Sequence, residues 1–144
     1  MKILILNGPN LNLLGSREPE IYGNTTLADI YELISSTFPE IEFEKFQSNH
    51  EGDLIDTLQQ SNADCVIFNP AAYTHYSYAI ADAVKAINKP VVEVHLSDIS
   101  KREDFRKISV IRPNCIDQIS GFGPKSYIMA VEKLISYMSE NGAK

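Results

Sequence analysis

Short, unbroken apolar runs alternate along this chain with stretches whose apolar residues recur every three or four positions. Residues 3–6, Ile-Leu-Ile-Leu, are the first such run and predict a strand. Over residues 26–38, Leu27, Ile30, Tyr31 and Ile34 fall at i, i+3, i+4 and i+7, which predicts a helix. Thr26 and Asp29 have the spacing of a capping pair at its start, and Pro39 ends it. Residues 41–47 alternate apolar and polar side chains and read as a second strand. A helix follows over 51–61, with Leu54, Ile55 and Leu58 facing inward. Residues 65–68, Cys-Val-Ile-Phe, are continuously apolar, as in a strand covered on both faces. The pattern then predicts a helix over 74–87, a strand over 91–94 opened by Pro90, a short helical segment over 101–106 and a strand over 116–120. A last helix spans 125–140, with Ile128, Val131, Leu134, Ile135 and Met138 as its apolar stripe.

Five strands, most of them followed by a helical segment, argue for α/β architecture: an open parallel sheet with helices on both faces. At 144 residues this is one domain, residues 1–144, and the arrangement that fits is a flavodoxin-like three-layer sandwich with strand order 2-1-3-4-5. Charged residues make up 22% and apolar ones 44%, the balance of a globular chain and not a disordered one. The formal net charge of −6 has the wrong sign for a nucleic-acid partner. A small anion remains admissible, provided that positive groups gather locally. Cys65 and Cys115 sit in apolar runs, lack metal-ligand spacing and read as buried free thiols. The apolar run at the N-terminus is too short for a signal-peptide core or a membrane span, so the reading is a cytoplasmic protein with no membrane partner.

Ligands of such sheets bind outside the carboxyl ends of the strands. The segments there are Asn7-Gly8-Pro9-Asn10, Ser48-Asn49-His50-Glu51-Gly52, Asn69-Pro70 with His75 a few residues on, His95 followed by Ser97, and Gly121-Phe122-Gly123. One histidine near a strand end is ordinarily structural. All three histidines of the chain, together with Asn10, Asn49 and Asn69, converge on one edge, and that convergence marks a site. Asparagine and histidine each offer a donor and an acceptor, which suits polyhydroxylated ligands. Neither glycine-rich phosphate-binding pattern is present, and the loop after the first strand lacks the Ser/Thr run that would cradle a flavin phosphate. A phospho-acceptor signalling domain would need acids after strands 1 and 3, where Asn7, Asn10 and Asn69 stand.

The connection over residues 11–25 is long for a compact domain and has glycines at both ends, Gly15 and Gly23, which makes it a candidate lid. It carries Arg17 and Tyr22. A phenol titrates near pH ~10, and a neighbouring guanidinium favours the phenolate, so this pair is a candidate general base. Taken alone, the pair also fits a surface loop whose tyrosine packs on the domain. The basic run over residues 101–107 puts Arg102 and Arg106 four positions apart, on one face if the segment is helical. Such runs are usually solvated, but this one lies just after His95 and Ser97.

Read in order, Asn7-Gly8-Pro9-Asn10-Leu11, Gly15-Ser16-Arg17-Glu18-Pro19, Tyr22-Gly23, Gln47-Ser48-Asn49-His50-Glu51-Gly52, Asn69-Pro70-Ala71-Ala72-Tyr73-Thr74-His75, Glu93-Val94-His95-Leu96-Ser97 and Arg102-Glu103-Asp104-Phe105-Arg106 closely resemble the motifs of type II dehydroquinases, in family order and over nearly the whole chain. The resemblance implies the flavodoxin-like fold, no cofactor and no metal. It implies dehydration of 3-dehydroquinate to 3-dehydroshikimate through an enolate, without a Schiff base, in the shikimate route to aromatic amino acids. By motif, Tyr22 would be the general base and Arg17 would hold it as phenolate. Asn10 would orient a water on the enolate oxygen. His95 would protonate the departing hydroxyl, with Glu93 behind it. Asn69, Leu96 and Ser97 would receive the substrate carboxylate, and His75 and Arg106 its hydroxyls. Asp82 would reach the site of a neighbouring subunit, within trimers that build a homododecamer. Ala71, Tyr76, Asp98, residues 110–115 and Lys125-Ser126 depart from the family pattern.

Overall fold

The computed structural model describes residues 1–16, 20 and 23–141. Five strands, β1 (Lys2–Asn7), β2 (Glu42–Gln47), β3 (Cys65–Asn69), β4 (Val91–His95) and β5 (Asp117–Ser120), form one all-parallel sheet in the order β2-β1-β3-β4-β5. The helices are α1 (Leu27–Thr37), α2 (Glu51–Gln60), α3 (Tyr78–Ala86) and α4 (Lys125–Glu140). The fold class and strand order match the reading of the sequence.

Alternation along the strands divides the core into two layers. Ile3, Ile5, Cys65, Ile67, Val92 and Val94 pack against Ile30 and Ile34 of α1 and against Tyr127, Ala130, Val131 and Leu134 of α4. Leu4, Leu6, Val66, Phe68 and Val91 pack on the other face against Leu54 and Leu58 of α2 and Ile80, Ala83 and Val84 of α3. Strands buried on both faces must be apolar throughout, which is why β1 and β3 carry no alternation in sequence. Cys65 and Cys115 are buried and unpaired. Burial pushes both thiols up to about 12.

The Thr26–Asp29 capping box forms in full: each side chain accepts from the other's backbone N–H. Four local expectations are corrected. The helix expected over 74–87 is a 3-10 turn, Ala71–His75, followed by α3, which begins only at Tyr78. Ser77 interrupts it, because its extended backbone lets the hydroxyl accept from the Ile80 N–H as an N-cap. The segment 101–106 is not one helix but two 3-10 turns, Ile99–Lys101 and Asp104–Arg106, with Arg102 extended between them. β5 starts at Asp117 and not at residue 116, while Asn7, Asn69 and His95 belong to the strands they were expected to follow. On α4 the buried stripe runs through Tyr127, Ala130, Val131 and Leu134, and Ile135 is 37% exposed. Val131 and Leu134 are buried as expected and Ile128 and Met138 pack at the margin of the same core, but Tyr127 and Ala130 complete the stripe in place of Ile135.

The sheet brings its carboxyl edge together closely. Gly8 donates its N–H to the Asn69 carbonyl at 2.8 Å, and a Cβ on Gly8 would lie 2.6 Å from the Pro70 carbonyl oxygen. Only glycine lets β1 end so near β3.

Candidate active site

At that edge the segments after β1, β3 and β4 enclose a cavity. Asn10 and Leu11 form one wall, Asn69, Ala72 and His75 another, and His95, Leu96 and Ser97 a third, with Arg102 and Arg106 closing it. Of the residues singled out from sequence, Asn10, Asn69, His75, His95, Leu96, Ser97 and Arg106 are brought together here. Arg102 joins them without any shared helical face. Asp82 lies exposed on α3 and does not line the cavity. His50 stands at the start of α2, also outside the lining. Arg17 and Tyr22, with Glu18, Pro19 and Ile21 of the candidate lid, lie outside the described residues.

Asn10 adopts a left-handed conformation, φ 69°, which asparagine tolerates better than most residues. Its N–H donates to Asn49 Oδ1 at 3.0 Å, and Gln47 Nε2 donates to that same oxygen and to the Gly8 carbonyl. The loop after β1 is thus tied to the end of β2.

The i, i+2 spacing of Glu93 and His95 on β4 puts both side chains on one face of the sheet. Glu93 is fully buried. Its Oε2 lies 2.5 Å from His95 Nε2, and it also accepts from Thr74 Oγ1 at 2.5 Å, Ser109 Oγ at 2.7 Å and Gln118 Nε2 at 3.1 Å. Burial alone would raise this carboxyl. The bonds from His95, Thr74 and Ser109, with the adjacent imidazole charge, outweigh it and hold the group below the usual carboxylate range. With Nε2 committed to Glu93, Nδ1 is the His95 nitrogen left for a ligand.

His75 is set differently. Its Nδ1 is 2.8 Å from the Ile108 carbonyl, so Nδ1 carries the proton and Nε2 is an acceptor. Burial lowers its pKa; the Ile108 bond opposes this, and the charges of His95 and Arg106 reinforce it. One histidine is therefore backed by a carboxylate and the other is held neutral.

Against a net charge of −6, the cavity lining contains two arginines and no acid among the described residues. Asp98 is turned away: its carboxylate caps Ser100, taking the backbone N–H at 3.0 Å and the hydroxyl at 2.6 Å. Those bonds lower its pKa. Arg102 Nη1 donates to Ser97 Oγ at 3.2 Å. Arg106 Nε lies 2.8 Å from Glu103 Oε2, but its N–H is not aimed at that oxygen, so the pair is Coulombic and no hydrogen bond forms. Sequence reasoning missed Thr74, Ser109 and Gln118. All three are polar residues without a distinguishing pattern in the sequence; Gln118 lies on the edge strand β5, where the register pairs it with Glu93.

Fold and site together define a flavodoxin-like α/β protein with an arginine-bearing, hydroxyl-matching cleft at the carboxyl edge of its sheet. The model of the family described as class II dehydroquinase matches residues 1–135. The 3-dehydroquinate dehydratase of Caldicellulosiruptor saccharolyticus is 56% identical over 138 residues, covering 92% of this chain and 95% of that protein. That of Francisella philomiragia is 49% identical over 146 residues and covers 99% of each. The solved type II dehydroquinase of Butyrivibrio crossotus aligns with a TM-score of 0.91 at 48% identity, over 94% of this chain and 97% of its own. The chain belongs to the class II dehydroquinase family.

Proposed function

We infer that this protein is a hydro-lyase of the shikimate pathway, converting 3-dehydroquinate to 3-dehydroshikimate and water in the cytoplasm. The observation that carries the reading is the buried Glu93–His95 pair behind a cleft lined by Arg102 and Arg106. A carboxylate substrate needs the positive wall, and loss of a hydroxyl needs a proton source with a counter-charge behind it.

The proposed sequence of events is as follows. Tyr22, kept as phenolate by Arg17, takes a proton from the carbon beside the ketone. Asn10 holds a water on the resulting enolate oxygen. The enolate collapses to form the ring double bond as His95 Nδ1 delivers a proton to the departing hydroxyl, which leaves as water. Tyr22 ends protonated and His95 neutral, so one proton passes back between them before the next turnover. Asn69, Ser97 and the amides of Leu96 and Ser97 receive the carboxylate; His75 Nε2 and Arg106 meet the hydroxyls. For Tyr22 and Arg17 the support is motif resemblance; for the others it is also their presence around one cavity.

We further propose assembly into trimers and a homododecamer. Asp82 points to it, being outside its own cavity on an exposed part of α3. Large apolar side chains also stand uncovered: Tyr76, Tyr78, Phe105 and Ile108 are 59%, 71%, 65% and 65% exposed.

Adding purified protein to 3-dehydroquinate should raise ultraviolet absorbance as the conjugated product forms, and Tyr22→Phe should abolish that rise while still binding product. Near-normal turnover in Tyr22→Phe would remove Tyr22 as the base. No turnover by the folded wild type would remove the dehydratase reading.

A further inference from the structure

One cavity residue is held by a chain of polar side chains that runs away from the cleft, through the α1/α4 layer. Asn69 Nδ2 donates to the Tyr127 hydroxyl oxygen at 3.0 Å, and the Tyr127 hydroxyl donates to Asn7 Oδ1 at 2.6 Å. Asn7 Nδ2 donates to the Tyr31 hydroxyl oxygen at 3.0 Å. At the cleft end, Asn69 Oδ1 accepts from the Ala71 N–H at 3.1 Å. Four elements, β3, α4, β1 and α1, each contribute one member. Asn7 and Tyr127 are fully buried and Asn69 is 3% exposed.

The donor count makes this chain directional. Tyr127 has one O–H, and it is spent on Asn7, so toward Asn69 its oxygen can only accept. Asn69 must therefore turn its NH2 to Tyr127, and the Ala71 N–H independently demands the carbonyl oxygen. Both ends of the amide agree. One N–H of Asn69 remains uncommitted, and Asn69 lines the cavity. The residue is presented to a ligand as a donor and not as an acceptor.

We propose that Tyr127 is a positioning residue that holds the Asn69 amide as an N–H donor for the substrate carboxylate. It is not a catalytic residue, because it does not line the cavity. The proposal rests on the dehydratase reading of this cleft and adds to it a determinant of carboxylate affinity. Without the Tyr127 oxygen, one buried N–H of Asn69 has no acceptor, and the amide is held at one end only, by the Ala71 N–H.

Steady-state turnover of 3-dehydroquinate in wild type, Tyr127→Phe, Asn69→Ala and the double variant tests it. Tyr127→Phe is expected to raise KM by about tenfold and to change kcat much less. In the Asn69→Ala background the same change should alter KM by less than about twofold, because its target is gone. An unchanged KM in Tyr127→Phe overturns the proposal, as does an equal KM effect in both backgrounds, which would mark a merely structural tyrosine. Should Tyr127→Phe fail to fold, Tyr31→Phe at the half-buried outer end replaces it in the same cycle, with a smaller rise in KM expected and the same dependence on Asn69. An inactive wild type in this assay overturns the dehydratase reading and the proposal with it; an active wild type with a flat Tyr127→Phe response overturns the proposal alone.

Discussion

Glu93 holds a charge where no water can solvate it, so its stability depends wholly on its four donors. Glu93→Gln keeps the volume but replaces one acceptor oxygen with an NH2. The Thr74 and Ser109 hydroxyls can reverse direction. With the NH2 in the Oε1 position, facing Ser109, the His95 Nε2–H keeps its acceptor, but the protonated ring loses its counter-charge. The expected outcome is a fall in kcat of at least about tenfold, more than ~1.4 kcal/mol of barrier, with product binding nearly unchanged. Steady-state turnover with an equilibrium binding measurement checks it, and unchanged kcat would mean Glu93 is only structural. The Glu-x-His spacing was legible in the sequence because strand periodicity is local. The hydroxyls of Thr74 and Ser109 were not: they arrive from residues 19 and 16 positions away, and only the docking of their segments brings them in.

Gly8 shows how one position sets the relation between two strands. Gly8→Ala would press a Cβ to 2.6 Å from the Pro70 carbonyl oxygen, a backbone atom that cannot move without displacing the turn that carries Ala71 and His75. A destabilisation of about 1–3 kcal/mol is expected, read as a lower denaturation midpoint, together with weaker substrate binding. A variant as stable and active as wild type would show that the two strand ends have room to part. Elsewhere the boundaries followed the competition between side chains and backbone. Thr26–Asp29 was readable as a cap because both partners are three residues apart. The Ser77 cap was missed because the apolar periodicity runs straight across it, while its extended backbone depends on residues 71–75 being pulled into a tight turn, where the Val110 N–H takes the Thr74 carbonyl and Ile108 takes His75.

For the molecule as a unit, stability should fall with acid in two stages. The His75 pKa is lowered from its ordinary 6.5, so below that pH the unfolded chain binds the proton more readily and stability declines. The Glu93 pKa is lowered from 4.5; its contribution is fully present above that value and is lost as pH drops through the folded-state value. Thermal denaturation midpoints across pH 7 to 3 should therefore decrease, and His75→Asn should lack the upper part of the decline. A wild-type profile flat through that range would contradict both assignments.

The five strands, four of the five helical segments, the α/β class and the sheet order were determined by the chain alone. Apolar periodicity is a property of neighbours in sequence, and parallel strands linked by helices leave few topologies open. The same logic located the functional edge, since every carboxyl-terminal strand end in such a sheet faces one side. What only the tertiary structure decided was which polar residues meet. Asp98 turns to Ser100 and leaves the described lining of the cleft free of acid, Arg102 reaches it from between the two 3-10 turns and Arg106 from the second of them, and Asn69 is oriented by Tyr127 from 58 residues away. Those outcomes depend on donors and acceptors being satisfied across packed elements, and a linear pattern holds no record of such pairings.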